Sequence, residues 1–311
     1  MSAAARTAVI TGANGFVGSH LCAELARLGW EVRVISRGLA PAGARRLDVD
    51  LFSNGDALSA AMAGADTLFH LAGIAHERVP AAELDALNRL NVDTTIRLLA
   101  AADMAGVPQM VWLSSIKVLG DVSHRPLRPN DPYQPGDSYA RSKVRAEQAL
   151  QDHPARTTHV AVVRPPLVYG SGVRGNFRAL MDWVARGVPL PLRRASSPRS
   201  LVGVGNLCSL LVRLSEPRSG IFHVADGDDL SVADLVQRMS RAFGRSSRLW
   251  SAPPGTIALL AQLARRPGLY SRLFHPLQVD QSETAEALDW RPPHSVAQQM
   301  QETVSWFRAQ R

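Results

Sequence analysis

The chain has 311 residues, 46% of them hydrophobic and 20% charged, with a formal net charge of +8. That make-up belongs to a folded globular protein with room for one large domain or two joined ones, and it excludes disordered and collagenous classes. The positive balance raises nucleic acid as a partner, but the arginines are scattered without a dense basic run, so no nucleic-acid binding is expected and at most a surface that attracts anionic nucleotides.

In chain order, the N-terminus MSAAARTAVITG runs straight into a strand with no signal peptide before it. Strands are expected at 7–11, 31–36, 66–71, 109–114 and 158–163, with amphipathic helices between them, the longest through AAELDALNRLNVDTTIRLLAAADMAG. Short βα steps of this kind predict an α/β fold: a Rossmann-type, doubly wound parallel sheet. After residue 167 the alternation loosens. GVPLPLRRASSPRS reads as a long loop too polar for core, followed by a short strand and helix in SLVGVGNLCSLLVRL, a strand in GIFHVA, and further helices. The expected organisation is a cofactor-binding domain over 1–167, with 200–226 returning to it, and a smaller C-terminal substrate-binding cap from 168–199 and 227–311. Cys22 and Cys208 are expected as buried free thiols, with no disulfide framework and no metal-ligand spacing. TIALLAQLA is about half of the roughly 20 residues a membrane span needs, so no membrane insertion and a cytoplasmic location are expected.

The first strand ends in TGANGFVGSHLCAEL, which sets Gly12, Gly15 and Gly18 at the entry to a helix. Glycine there lets backbone approach a pyrophosphate, and the helix N-terminus offers N–H groups and positive dipole. The second strand ends in Ser36-Arg37 rather than in the acidic residue that would hold the ribose 2′-OH of NAD. Arg37 suits a charge-assisted grip on a 2′-phosphate, so NADP(H) is preferred and NAD(H) is the alternative.

Only two of the 35 basic residues are lysines, Lys117 and Lys143. Tyr139 and Lys143 stand i, i+4 in DSYARSKVRAEQAL, on one face of a helix that Asp137 or Ser138 caps. An ammonium beside the phenol is expected to draw its proton affinity toward working pH. Ser114 and Ser115 close the fifth strand at the carboxyl edge of the sheet, where such folds bind ligands.

Together these motifs resemble the extended short-chain dehydrogenase/reductase family, in particular its nucleotide-sugar epimerases, dehydratases and reductases, over essentially the whole chain. The resemblance implies Ser115, Tyr139 and Lys143 as the catalytic set. It implies a cofactor site from Gly12, Asn14, Gly15, Phe16, Val17 and Gly18, then Ser36, Arg37, Asp50 and Leu51, then Leu71, Ala72 and Gly73 of FHLAG, with Tyr139, Lys143 and Pro166. Asn91 occupies the place of a recurrent structural asparagine. Substrate contacts are implied for Ser115, Tyr139, Asn176, Arg199 and Arg272, with His275-Pro276 near the last. Lys117 stands two residues beyond Ser115, so in an extended segment it is expected on that residue's side, facing the sugar, with a surface lysine beyond the strand's end as the alternative. The family also implies a homodimer.

Departures from the family narrow the chemistry. Sugar-nucleotide dehydratases place Asp-Glu directly after the serine, where this chain has Ile116 and Lys117, so that elimination lacks its acid and base. The cysteine of the epimerase-reductases that make GDP-fucose is absent as well. SSIKV, RPPLVYG and LDWRPP look most like a subgroup acting on UDP-N-acetylhexosamine derivatives. The expected activity is reduction of a UDP-4-keto-6-deoxy-N-acetylhexosamine at C4, with a UDP-hexose or UDP-N-acetylglucosamine 4-epimerase retaining NAD as the alternative. A non-catalytic cofactor-binding protein would be free to lose Ser115, Tyr139 or Lys143, and all three are present. TIALLAQLARRPGLYSRLF is read as core or a lid, with an interfacial amphipathic helix as the lesser reading.

Overall fold

The computed structural model describes residues 5–73, 88–154, 157–253, 255 and 273–310. Its strands are β1 (Thr7–Thr11), β2 (Glu31–Ile35), β3 (Ala44–Arg46), β4 (Thr67–His70), β5 (Gln109–Leu113), β6 (His159–Arg164), β7 (Leu167–Tyr169), β8 (Leu201–Gly203) and β9 (Gly220–His223). Its helices are α1 (Phe16–Arg27), α2 (Gly55–Met62), α3 (Thr94–Met104), α4 (Ser138–Asp152), α5 (Gly175–Ala185), α6 (Val204–Arg213), α7 (Val232–Ala242), α8 (Ser282–Leu288) and α9 (Val296–Ala309).

Seven strands form one parallel sheet in the order β3-β2-β1-β4-β5-β6-β9. Continuous apolar runs such as Ala8-Val9-Ile10 are fully buried because helices cover both faces. Leu21, Leu25, Leu207 and Leu211 of α1 and α6 pack on one side. Leu58, Met62, Leu98, Leu99, Ala146 and Leu150 of α2, α3 and α4 pack on the other. The strand order reverses beside β1, between β2 and β4, which opens a crevice at the carboxyl ends of β1 and β4. The expected doubly wound parallel sheet is therefore present, and β9 carries a segment from beyond residue 200 back into it.

A second core joins α5, α7 and α9 through Phe177, Met181, Leu235, Met239, Val304 and Phe307. The stretch 187–200 departs from its expectation as a polar loop outside the core. Leu190, Leu192 and Ala195 are buried in this second core. In VPLPLR the leucines alternate with proline and arginine, so an extended backbone turns alternate side chains inward although the segment's average polarity is high. The strands β3 and β7 were not expected. Each has three residues, and β3 presents Arg45 and Arg46 to solvent at the sheet edge, leaving no apolar alternation to read. TIALLAQLARRPGLYSRLF lies outside the described residues except for its last two. Among the described residues, no helix is long and apolar enough to cross a membrane.

Candidate active site

The loop after β1 is built around the absence of side chains. Gly12 has φ +75°, and a Cβ there would lie 2.6 Å from the Ala72 nitrogen at the end of β4. A Cβ on Gly18 would lie 2.1 Å from the Gly12 carbonyl, so α1 seats its first turn directly on the loop. Gly15 precedes α1 with no side-chain cap and no acidic residue in the first turn, which leaves the helix's first N–H groups and dipole end for an anion. Asn14 and Gly15 are exposed, and Phe16 and Val17 half-buried. The Asn14 amide donates to the Leu39 carbonyl at 3.1 Å, which ties this loop to the segment after β2. There Arg37 is exposed, the Ser36 hydroxyl donates to Gly38, and Arg46 of β3 donates to the Ser36 carbonyl at 3.2 Å. Sequence reading missed Arg46 because β3 itself gave no signal. A turn carries Asp50 and Leu51, with the Asp50 carboxylate accepting from the Phe52 N–H.

At the crevice's other wall, Leu71, Ala72 and Gly73 leave β4, and the Thr11 hydroxyl accepts from the Ala72 N–H at 3.3 Å. Behind them His70 is buried between the Thr11 and Thr95 hydroxyls, at 2.6 and 2.9 Å. Burial, with the Lys143 charge as a lesser cause, pulls its pKa down to about 3. Gly73 faces two side chains: a Cβ there would meet Asn91 Oδ1 at 3.1 Å and Lys143 Nζ at 3.5 Å. Asn91 sits in a π-helical turn, Arg89–Asp93, whose wider spacing aims its amide at the Ser142 hydroxyl, 3.0 Å away on α4.

Asp137 caps α4 by accepting from the Ala140 N–H at 2.7 Å, which fixes the helix start and brings Tyr139 to Ser115. The Ser115 hydroxyl lies near enough to the phenol to lower its pKa. Lys143 is buried one turn further on, with Nζ donating to the Leu113 carbonyl at 2.8 Å and lying 4.4 Å from the Trp112 ring centroid. The structure thus brings Ser115, Tyr139 and Lys143 together at the carboxyl edge of β5. It corrects the expected electrostatics. Tyr139's ring is half-buried, but its hydroxyl is desolvated enough to raise its pKa to about 12, against a smaller lowering by the nearby Ser115 hydroxyl. Lys143 is not among the causes acting on Tyr139; its own pKa falls to about 7 by burial, with Glu147 opposing.

Burying Lys143 therefore costs stability at neutral pH. A folded value near 7 against an unfolded value near 10.5 means the folded state binds this proton less readily. The stability is fully present above pH 10.5 and is lost as pH falls through 7. Lys143→Met is expected to raise stability at pH 7 by about 3–5 kcal/mol, less what the lost hydrogen bond and ring contact contribute. Thermal unfolding of both proteins from pH 6 to 10 tests this: the variant's advantage should shrink as pH rises, and a pH-independent difference defeats it.

Lys117 does not share the Ser115 side of an extended segment. The strand ends at Leu113, and 116–118 forms a 3-10 turn in which Ser115 Oγ accepts from the Lys117 N–H. Its ammonium pairs with Asp137 and lies 3.6 Å from Asp121. Pro166 is buried just beyond β6, and the Ile116 N–H donates to the neighbouring Pro165 carbonyl at 3.0 Å. Asn176 is exposed in the first turn of α5. Near that helix, His20 of α1 meets the Ser171 carbonyl at 2.7 Å, which holds the 170–175 loop against the glycine-loop helix. Arg199 donates to the His275 carbonyl at 2.6 Å, so the structure joins it to the FHPLQVD segment. Arg272 lies outside the described residues.

Sequence reading also missed Glu147 and Arg164. Both are fully buried behind the site, and the Glu147 carboxylate accepts from Ser114 Oγ at 2.5 Å, Tyr133 OH at 2.9 Å and Arg164 Nε at 3.0 Å. The available signal was spacing: Glu147 follows Lys143 by four residues on the same helix face.

This arrangement has recognisable relatives. A UDP-glucose 4-epimerase of Vibrio cholerae is 30% identical over 97% of this chain and 95% of its own length. An epimerase of Escherichia coli O157:H7 that acts at C4 of N-acetyl-α-D-glucosaminyl-diphospho-ditrans,octacis-undecaprenol is 27% identical over 76% of this chain and 72% of its own. Among solved structures, MoeE5 in complex with UDP-glucose and NAD superposes with a TM-score of 0.77 at 25% identity, over 98% of this chain and 99% of that one. A UDP-N-acetylglucosamine 4-epimerase from Bacillus cereus shares the fold, with a TM-score of 0.80 at 17% identity over 98% and 97% of the two chains. The family pattern of NAD dependent epimerases and dehydratases matches residues 8–220. The chain belongs to the NAD dependent epimerase/dehydratase family and is an enzyme of it.

Proposed function

We propose that this enzyme moves hydride at C4 of a UDP-linked sugar, reducing a UDP-4-keto-6-deoxy-N-acetylhexosamine with NADPH. The observation that carries the reading is the meeting of Ser115, Tyr139 and Lys143 at the carboxyl edge of β5, with no carboxylate pair at 116–117. The family relatives named for UDP-sugars support the substrate class.

The residues at the crevice fit a dinucleotide. Gly12 and Gly18 let the loop close against β4 and α1 where no Cβ fits, the start of α1 beside it carries no side-chain cap and no acidic residue, and a Cβ at Gly73 would stand 3.5 Å from Lys143 Nζ. The pyrophosphate would lie on Gly12–Gly18, the adenosine ribose by Ser36 and Arg37, and the nicotinamide ribose by Tyr139 and Lys143. Bound there, the nicotinamide supplies or accepts hydride. Ser115 holds the C4 oxygen by hydrogen bond and Tyr139 gives it a proton. Lys143 orients the ribose. Asn176 and Arg199 offer a donor and a positive charge to the sugar-linked diphosphate. We assign 1–167 and 200–226 to cofactor binding and 168–199 with 227–311 to the cap. A homodimer through α3 and α4 belongs to the same proposal.

No acidic residue follows β2 before Asp48, and Arg37 and Arg46 flank Ser36, which favours a 2′-phosphate. Arg37→Glu is expected to weaken NADPH binding by roughly 10–100-fold, the worth of one charged hydrogen-bonding partner, while sparing NADH. Mass spectrometry of cofactor released from the denatured protein, with titrations of both nucleotides, tests this. The second reading, a 4-epimerase, draws on the Vibrio relative's name and near-complete coverage. Stoichiometric NAD carried through purification would favour it and overturn the assignment of Arg37.

A further inference from the structure

We infer that the cap carries a docking surface for an anionic lipid bilayer, built from Arg186, Arg245 and Arg248 with Trp183, Val188 and Trp250. The charge distribution in the sequence is the first observation. No Asp or Glu occurs between Asp182 and Glu216 or between Asp234 and Asp280, and these stretches hold five and seven arginines. The overall charge of +8 is thus concentrated in part of the molecule.

The structure places the two stretches side by side. The Leu190 N–H donates to the Arg248 carbonyl at 2.8 Å, and the Trp250 N–H to the Leu190 carbonyl at 3.0 Å. Leu190 and Leu249 turn into the cap core, so the alternate residues Arg248 and Trp250 face solvent. Arg186, Arg245 and Arg248, with Gly187 and Ser246, line an open depression of about 420 Å³. Their hydrogen bonds run to carbonyls, Arg245 to Ala185 at 2.6 Å and Arg248 to Gly187 at 3.3 Å. Among the described residues none of the three is paired with a carboxylate. Capping the end of α5 accounts for Arg245, but not for Arg186 or for the apolar surface beside the depression. Trp183 is 48% exposed, Trp250 50% and Val188 40%.

A cationic depression beside exposed tryptophans matches the headgroup layer of an anionic bilayer, where phosphates meet the arginines and indoles sit at the polar–apolar boundary. The contact is peripheral and does not involve the residues assigned to catalysis or to cofactor.

The test is co-sedimentation of the full chain with phosphatidylcholine–phosphatidylglycerol vesicles and with phosphatidylcholine vesicles alone. Binding is expected to the first and not the second, and to weaken as salt rises. The triple variant Arg186→Gln/Arg245→Gln/Arg248→Gln should bind about 100-fold more weakly, roughly fivefold for each arginine. Trp183→Ser/Trp250→Ser, which leaves the charges and the α5 cap in place, should also bind more weakly. Unchanged melting temperatures confirm that each variant folds; should the triple variant melt early, Arg186→Gln/Arg248→Gln takes its place. Equal binding to both vesicle types, or undiminished binding by the variants, overturns the proposal. So does a face that binds duplex DNA but not vesicles, or one that only self-associates.

Discussion

Tyr139→Phe is expected to lower turnover by about 10²–10⁴-fold, the range set by loss of one positioned proton donor, while the protein stays folded. The substitution removes the hydroxyl and leaves the half-buried ring, so the packing of α4 against β5 is unaffected. What goes is the hydroxyl beside Ser115 and the proton that hydride addition at C4 requires. With the phenol pushed up to about 12, Tyr139 carries that proton throughout the neutral range, the state a reductase needs at the start of its cycle. Lys143 at about 7 is the group in this set that titrates near neutrality, so the rate should show a limb there that Tyr139→Phe does not abolish. Turnover on a 4-keto sugar nucleotide, with binding followed separately, decides the matter. Retention of rate within about tenfold, below the effect of a general acid, would remove Tyr139 from the chemistry.

The parts of this molecule legible in the sequence are those in which a local pattern is also a structural requirement. TAVITGANGFVG could be read because a buried parallel strand is an apolar run and the turn beyond it admits no Cβ at Gly12 or Gly18. Tyr139 and Lys143 could be read because helix spacing alone puts them on one face. Arg45 and Arg46 could not, because a three-residue edge strand pairs through its backbone and leaves no apolar signature. The orientation of Lys117 depended on where β5 ends. An extended backbone continued through 117 would keep it on the side of Ser115, but the 3-10 turn at 116–118 sends its ammonium to Asp137. The proton affinity of Tyr139 differs from its expectation, and that of Lys143 gives no sequence signal, for a related reason. Neighbouring charges can be guessed from spacing, whereas desolvation depends on how α4 seats against the sheet, and here desolvation is the larger effect on both.

The other large effect is expected behind the site. Glu147 and Arg164 are fully buried and joined through two guanidinium nitrogens, Nε at 3.0 Å and Nη2 at 2.5 Å. The pair is satisfied on its remaining sides: Ser114 and Tyr133 donate to Glu147, and Arg164 Nη1 donates to the Pro129 carbonyl at 2.8 Å. Four pieces of chain therefore meet there, namely α4, the end of β5, the end of β6 and the 129–133 loop. Arg164→Met leaves a buried carboxylate without its counter-charge and is expected to cost about 3–5 kcal/mol. For a chain of this size the melting temperature should fall on the order of 10 °C. Glu147→Leu should cost a similar amount, but the double variant should cost clearly less than the sum, because two apolar side chains strand no charge. Additive losses in denaturant unfolding would show that the two residues contribute separately and not as a pair. Glu147→Gln separates support from chemistry: it keeps a side chain of the same shape but removes the charge that holds Lys143's pKa up. Without that charge Lys143 titrates lower, so the limb near pH 7 in the rate profile should move to more acidic pH. A purely structural role for Glu147 would lower stability and leave that limb in place.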